Sequence, residues 1–158
     1  MIYAVLKTLH LLAIVVWVGG MVFAHFFLRP ALSSLEAPLR IKLMHEVLGR
    51  FFKAVLVASL ITLASGIWML GRTAKQVVQS GGSFDMPLSW TLMAVLGVAM
   101  VAIFFHIRFA LYKKLSRAVT AAEWTSGGAV LGQIRKWVLI NMVLGLLVII
   151  VTLLPWTH

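Results

Sequence analysis

From Ile2 to Leu28 the chain is an apolar run broken only by Lys7, Thr8, His10 and His25. Roughly 20 consecutive apolar residues make a helix long enough to cross the hydrocarbon core of a bilayer. Three further runs of that kind follow, at about 50–70, 88–107 and 137–154. A soluble interior could not hide them: 62% of the 158 residues are hydrophobic and only 11% are charged, where about a quarter charged is ordinary. In lipid every backbone polar group must be satisfied within its own segment, which leaves helices or a closed barrel. No stretch alternates like a strand, so the expected fold is all-α. It is an integral membrane four-helix bundle forming a single transmembrane domain over 1–158. The first run lacks a basic leader and a small-residue cleavage site, so it is expected to stay as the first span.

Breaks between the runs come from turn-forming residues. Arg29-Pro30 stops the first, and Ser33, Ser34 and Pro38 mark a short loop. The second helix begins near Leu39 as a basic amphipathic stretch and ends at Gly71-Arg72. A polar connection over 79–87 precedes the third, which continues as a basic helix through Lys113, Lys114 and Arg117 until Ser126-Gly127-Gly128 breaks the chain again. Eleven of the 14 lysines and arginines flank the first and third connections. The positive-inside rule then places both termini on the outer side and both basic connections in the cytoplasm, as for a multi-pass protein of a bacterial-type inner membrane. The net charge of +10 collects at the ends of apolar runs, which suits lipid headgroups and not nucleic acid. Absence of cysteine excludes disulfides, covalent haem attachment and thiolate metal sites. With four acidic residues, carboxylate-pair hydrolysis and carboxylate proton pumping are poorly served.

Ionisable side chains at membrane depth are costly and are functional candidates by default. His25 precedes Arg29 by four residues and His106 precedes Arg108 by two, so the pair sits at similar depth on the first and third helices. Two such imidazoles could clamp a non-covalent haem b edge-on. His10 lies fifteen residues from His25, about 22 Å along a straight helix, and would serve a separate outer site with Lys7 and His158. His45 stands at the amphipathic start of the second helix beside Glu46. Each histidine also has a structural role open to it, as an interfacial residue or a hydrogen-bonded core group. Arg50, Lys53, Arg108 and Lys113 form a basic rim suited to anionic groups such as propionates. Trp17, Trp68, Trp90, Trp137 and Trp156 fall mostly where an aromatic belt would.

Methionines offer a competing chemistry. Met86, Met93 and Met100 recur every seven residues on one face of the third helix, and Met21 lies about three turns beyond His10 on nearly the same face of the first. Thioether with imidazole suits copper, above all Cu(I). His106 is about 220° around the helix from Met93. Only one of those two faces can look squarely into the bundle, and which one does so decides between haem and copper.

Lys7-Thr8-Leu9-His10 followed by Trp17-Val18-Gly19-Gly20 resembles the first helix of the CopD-type copper-resistance membrane domain, and is similar to that of the related HemJ-like protoporphyrinogen oxidases. Gly49-Arg50-Phe51-Phe52 leading to Ser65-Gly66-Ile67-Trp68-Met69-Leu70 resembles the second helix of both groups. Phe105-His106 with Tyr112-Lys113-Lys114-Leu115 resembles the HemJ third helix. Ile140-Asn141-Met142-Val143 departs from the asparagine-glutamate-proline pattern of the HemJ fourth helix. The resemblance implies a b-type haem, with His10 and His106 as the carried-over histidines and Lys7 as a third functional position. The expected function is therefore a haem-b membrane oxidoreductase passing electrons to a quinone or oxygen, or acting on a tetrapyrrole, in a bilayer and as a homo-oligomer. The alternative is a copper-binding or copper-tolerance membrane protein.

Overall fold

The computed structural model describes residues 1–154; Trp156 and His158 lie outside the described residues. Four helices account for nearly all of it: α1 (Ile2–Ser34), α2 (Ala37–Gln79), α3 (Leu88–Thr120) and α4 (Trp124–Leu153). Each is long and apolar enough to cross a membrane, and no strand occurs among the described residues. All four overrun the expected spans, because polar and basic residues such as Arg72 and Lys113 are good helix formers once past the bilayer.

Arg29-Pro30 does not stop α1. The helix widens to π geometry over Ala24–Leu28 and resumes through Pro30 to a last tight turn at Leu32–Ser34. A π turn shifts the hydrogen-bond register just where proline has no N–H to offer. A second π turn, Val15–Gly19, interrupts α1 higher up, and a third, His106–Leu111, lies in α3. Pro38 falls in the first turn of α2, where its fixed φ favours the helix. Gly71 is carried through, and the Arg72 guanidinium lies 5.4 Å over the Trp68 ring one turn back.

Helix α2 stops at a Schellman turn: Gly81 takes φ +83°, its N–H donates to the Val78 carbonyl, and the Gly82 N–H donates to the Val77 carbonyl. The same pattern ends α3, with the Ala122 and Glu123 N–H groups donating to the Val119 and Ala118 carbonyls. Here the left-handed position is Ala122, at φ 55°, a conformation that favours glycine. The chain therefore turns at Ala122. Ser126-Gly127-Gly128 lies inside α4. Gly127 is used for packing, since an added Cβ would stand 3.2 Å from Ile41 Cγ2.

Helix α1 packs along α2 and α3 along α4, and contacts of α4 with α1 and α2 close the bundle. An aromatic seam fills its centre. Trp17 meets Phe104 edge-on at 5.9 Å, Phe104 meets Phe52 at 6.1 Å, and Phe52 meets Tyr112 at 5.5 Å. Trp17, expected in the interfacial belt, is thus a core residue at 3% exposure. Outward positions such as Val15, Ile67 and Val98 are exposed and apolar, as a lipid-facing surface requires.

Gly145 lets α4 approach α1 and α3 at once: a Cβ there would lie 2.8 Å from Val18 Cγ2 and 3.0 Å from Met100 Cε. Small residues at such crossings are how membrane helices gain close packing. Gly145→Val is expected to destabilise the bundle by about 1–3 kcal/mol, read as a lower unfolding temperature in detergent. An unchanged midpoint would contradict this packing.

Candidate functional site

Away from the basic end, a cavity of about 180 Å³ opens between the helices. His10 on α1, Thr62 and Gly66 on α2, Met93 and Met100 on α3 and Gly145 on α4 are among the residues lining it. The remaining walls are apolar, including Ile14, Trp17, Leu63, Val101 and Val148.

A hydrogen bond to Ser65 orients the imidazole, and the Thr62 backbone also lies within hydrogen-bond reach of the ring. His10 Nδ1 lies 2.9 Å from Ser65 Oγ. The Ser65 hydroxyl, 3% exposed, gives its proton to the Ile61 carbonyl one turn back, with the Thr62 carbonyl also in range. An oxygen whose hydrogen is already engaged can only accept from the ring, so Nδ1 carries the proton. A neutral ring then holds its lone pair on Nε2, the form in which histidine binds metals. Thr62 Oγ1, buried on the same cavity, has no hydrogen-bond partner.

The two faces of α3 are resolved by burial. Met100 is 5% exposed and Met93 lines the cavity, so the methionine face looks inward. His106 is exposed and packs edge-on against Trp137 of α4 at 5.2 Å. His25 is partly buried against Phe26, 4.9 Å away, and stands within electrostatic reach of Arg29 and Arg135. Neither His25 nor His106 lines the cavity that holds His10. Two positive neighbours also make the surroundings of His25 unfavourable for a cation.

His45 joins α2 to α3. Its Nε2 bonds Ser116 Oγ at 2.9 Å, its ring stacks on Tyr112 at 5.1 Å, and the Tyr112 hydroxyl donates to the His45 carbonyl at 3.1 Å. Ser116 Oγ donates to the Tyr112 carbonyl, so His45 Nε2–H is the donor to it. Arg108 lies 5.2 Å over the Tyr112 ring with its Nε buried and unpartnered, while Arg50 and Lys7 are exposed. Met21, 2% exposed, belongs to the core and does not line the cavity.

Ser65 and Thr62 were not among the residues expected from the sequence to form a site. Ser65 had been visible only as part of a short motif, with nothing to pair it with a histidine 55 positions away. Among the described residues no three His, Cys, Asp or Glu side chains gather as a metal cluster. A metal in this cavity would have one imidazole and thioether sulfurs as its donors, a soft set.

Residues 45–154 match the family model CopD, copper resistance protein D. The chain belongs to the CopD family. The match takes in most of α2 and all of α3 and α4 as described, so Ser65, Met93, Met100 and Gly145 fall inside it and His10 falls outside. No curated protein and no solved structure matches the chain. With four helices able to cross a bilayer, this CopD member is a multi-pass membrane protein.

In ¹⁵N-histidine spectra of the CopD protein at neutral pH, His10 is expected to show a protonated Nδ1 and an unprotonated Nε2. Ser65→Ala should disorder the ring and mix the tautomers. A native spectrum dominated by Nε2–H would contradict the assignment.

Proposed function

We propose that this CopD member handles copper, taking Cu(I) into the cavity between its helices as cargo. His10 Nε2 and the thioethers of Met93 and Met100 are the donors. The observation that supports this reading most is the gathering of one oriented imidazole from α1 and two methionines from α3 on a single, mostly apolar cavity. Thioether and neutral imidazole are soft ligands that select Cu(I) over hard cations such as Mg²⁺ and Ca²⁺. An apolar, water-poor surrounding also penalises a divalent ion more than a monovalent one. Thr62 Oγ1 adds a neutral oxygen at the same wall. Membership in a family described by copper resistance points the same way.

The haem b reading, with electron transfer to a quinone or oxidation of a tetrapyrrole, has weaker support. A cavity of about 180 Å³ is smaller than the roughly 300–1,000 Å³ of sites that take drug-sized ligands. His25 and His106 each pack against aromatic neighbours away from it.

Anaerobic titration of the purified protein with Cu(I) against a competing chelator tests the proposal. One high-affinity Cu(I) is expected per chain. Affinity should fall about tenfold or more in His10→Ala and in the Met93→Leu/Met100→Leu double variant. Variants that bind copper as tightly as the native chain, or a native protein that carries a haem Soret band and ignores copper, would overturn it.

A further inference from the structure

The basic end of the bundle holds a second cavity, of about 310 Å³, unconnected with the copper reading. Arg29 near the end of α1, Arg40 in the start of α2 and Arg135 of α4 all line it. Ser33 adds a hydroxyl, and Gly128 and Gly132 expose backbone along one wall. Leu32, Ile41, Met44 and Leu131 make the other surfaces apolar.

No carboxylate lines this cavity. The chain has four acidic residues, Glu36, Glu46, Asp85 and Glu123, and none of them lines the cavity. Arg29 and Arg135 repel one another across it, and His25 shares their field. Three guanidinium groups from three helices share this one cavity, and an anion entering it relieves the repulsion between Arg29 and Arg135 while gaining the attraction of all three. Guanidinium groups present planar pairs of donors that match the oxygens of a phosphate. Apolar side walls beside such a cluster suit a ligand with both an anionic head and a hydrocarbon body.

We propose that Arg29, Arg40 and Arg135 form a binding site for a phosphate-bearing anion at the basic membrane interface. Two sources share that chemistry: the headgroup of an anionic phospholipid and free inorganic phosphate.

Native mass spectrometry of the full chain in detergent, titrated with phosphatidylglycerol or with phosphatidylcholine, tests the site. Inorganic phosphate is added as a competitor in a parallel series. Retention of phosphatidylglycerol over phosphatidylcholine, resistant to millimolar phosphate, supports the site with lipid as its occupant. Displacement of the lipid by millimolar phosphate, with thermal stabilisation by phosphate alone, supports the site with the free anion as its occupant. Arg40→Gln and Arg135→Gln should each weaken binding about tenfold, while Lys114→Gln, on the exposed face of α3, should leave it unchanged. Equal retention of both lipids with no effect of phosphate would overturn the proposal. So would arginine variants that bind as the native chain does, or a Lys114→Gln loss equal to theirs. If an arginine variant fails to fold, the comparison of lipids and phosphate on the native chain decides alone.

Discussion

Inside a bilayer a polar side chain has no water to turn to, and the bond between His10 and Ser65 is where this bundle meets that constraint. Ser65 hands its own proton back along α2 and so becomes a pure acceptor for the imidazole. A buried donor left without a partner costs about 1–3 kcal/mol, so the pairing stabilises the α1–α2 contact. It also fixes which nitrogen faces the remaining space with a lone pair. The lone pair on which the proposed Cu(I) site relies would thus be a by-product of satisfying a hydrogen bond, and Gly66 lies beside the ring, where an added Cβ would stand 3.4 Å from His10 Cε1.

The bundle separates two chemistries along its length. Soft neutral donors line one cavity and the guanidinium groups of Arg29, Arg40 and Arg135 line the other, while the Trp17–Phe104–Phe52–Tyr112 seam fills the core. The low dielectric of this core does not screen charge, so a Cu(I) bound as proposed at His10 would be spared the field of Arg29, Arg40 and Arg135 only by its distance from them. Gly145 stands against both Val18 and Met100, so the position of Met100 on the cavity and the fit of α4 against α1 are set together.

Much of this was legible in the sequence, for physical reasons that differ from element to element. Apolar runs of bilayer length could fold only as spanning helices, so their number and type followed from composition. The seven-residue recurrence of Met93 and Met100 placed them on one face, and the opposition of that face to His106 followed from helix geometry; burial then decided which face turned inward. Local punctuation was less faithful. Pro30 is absorbed by a π turn and Gly127 is spent on contact with Ile41, while the real break falls at Ala122, a residue with no turn signature. The pairing of His10 with Ser65 could not be read, because periodicity orders residues within a helix and says nothing of register between helices. The convergence of Arg29, Arg40 and Arg135 on one cavity could not be read either, since it depends on how three helix ends meet.

X-ray absorption at the copper edge, on the anaerobically Cu(I)-loaded protein, tests the central claim most directly. The account predicts an inner shell of one imidazole nitrogen and two sulfur scatterers, with the sulfur contribution lost in the Met93→Leu/Met100→Leu variant. A shell of nitrogen and oxygen alone, or sulfur scattering that survives the double substitution, would contradict it.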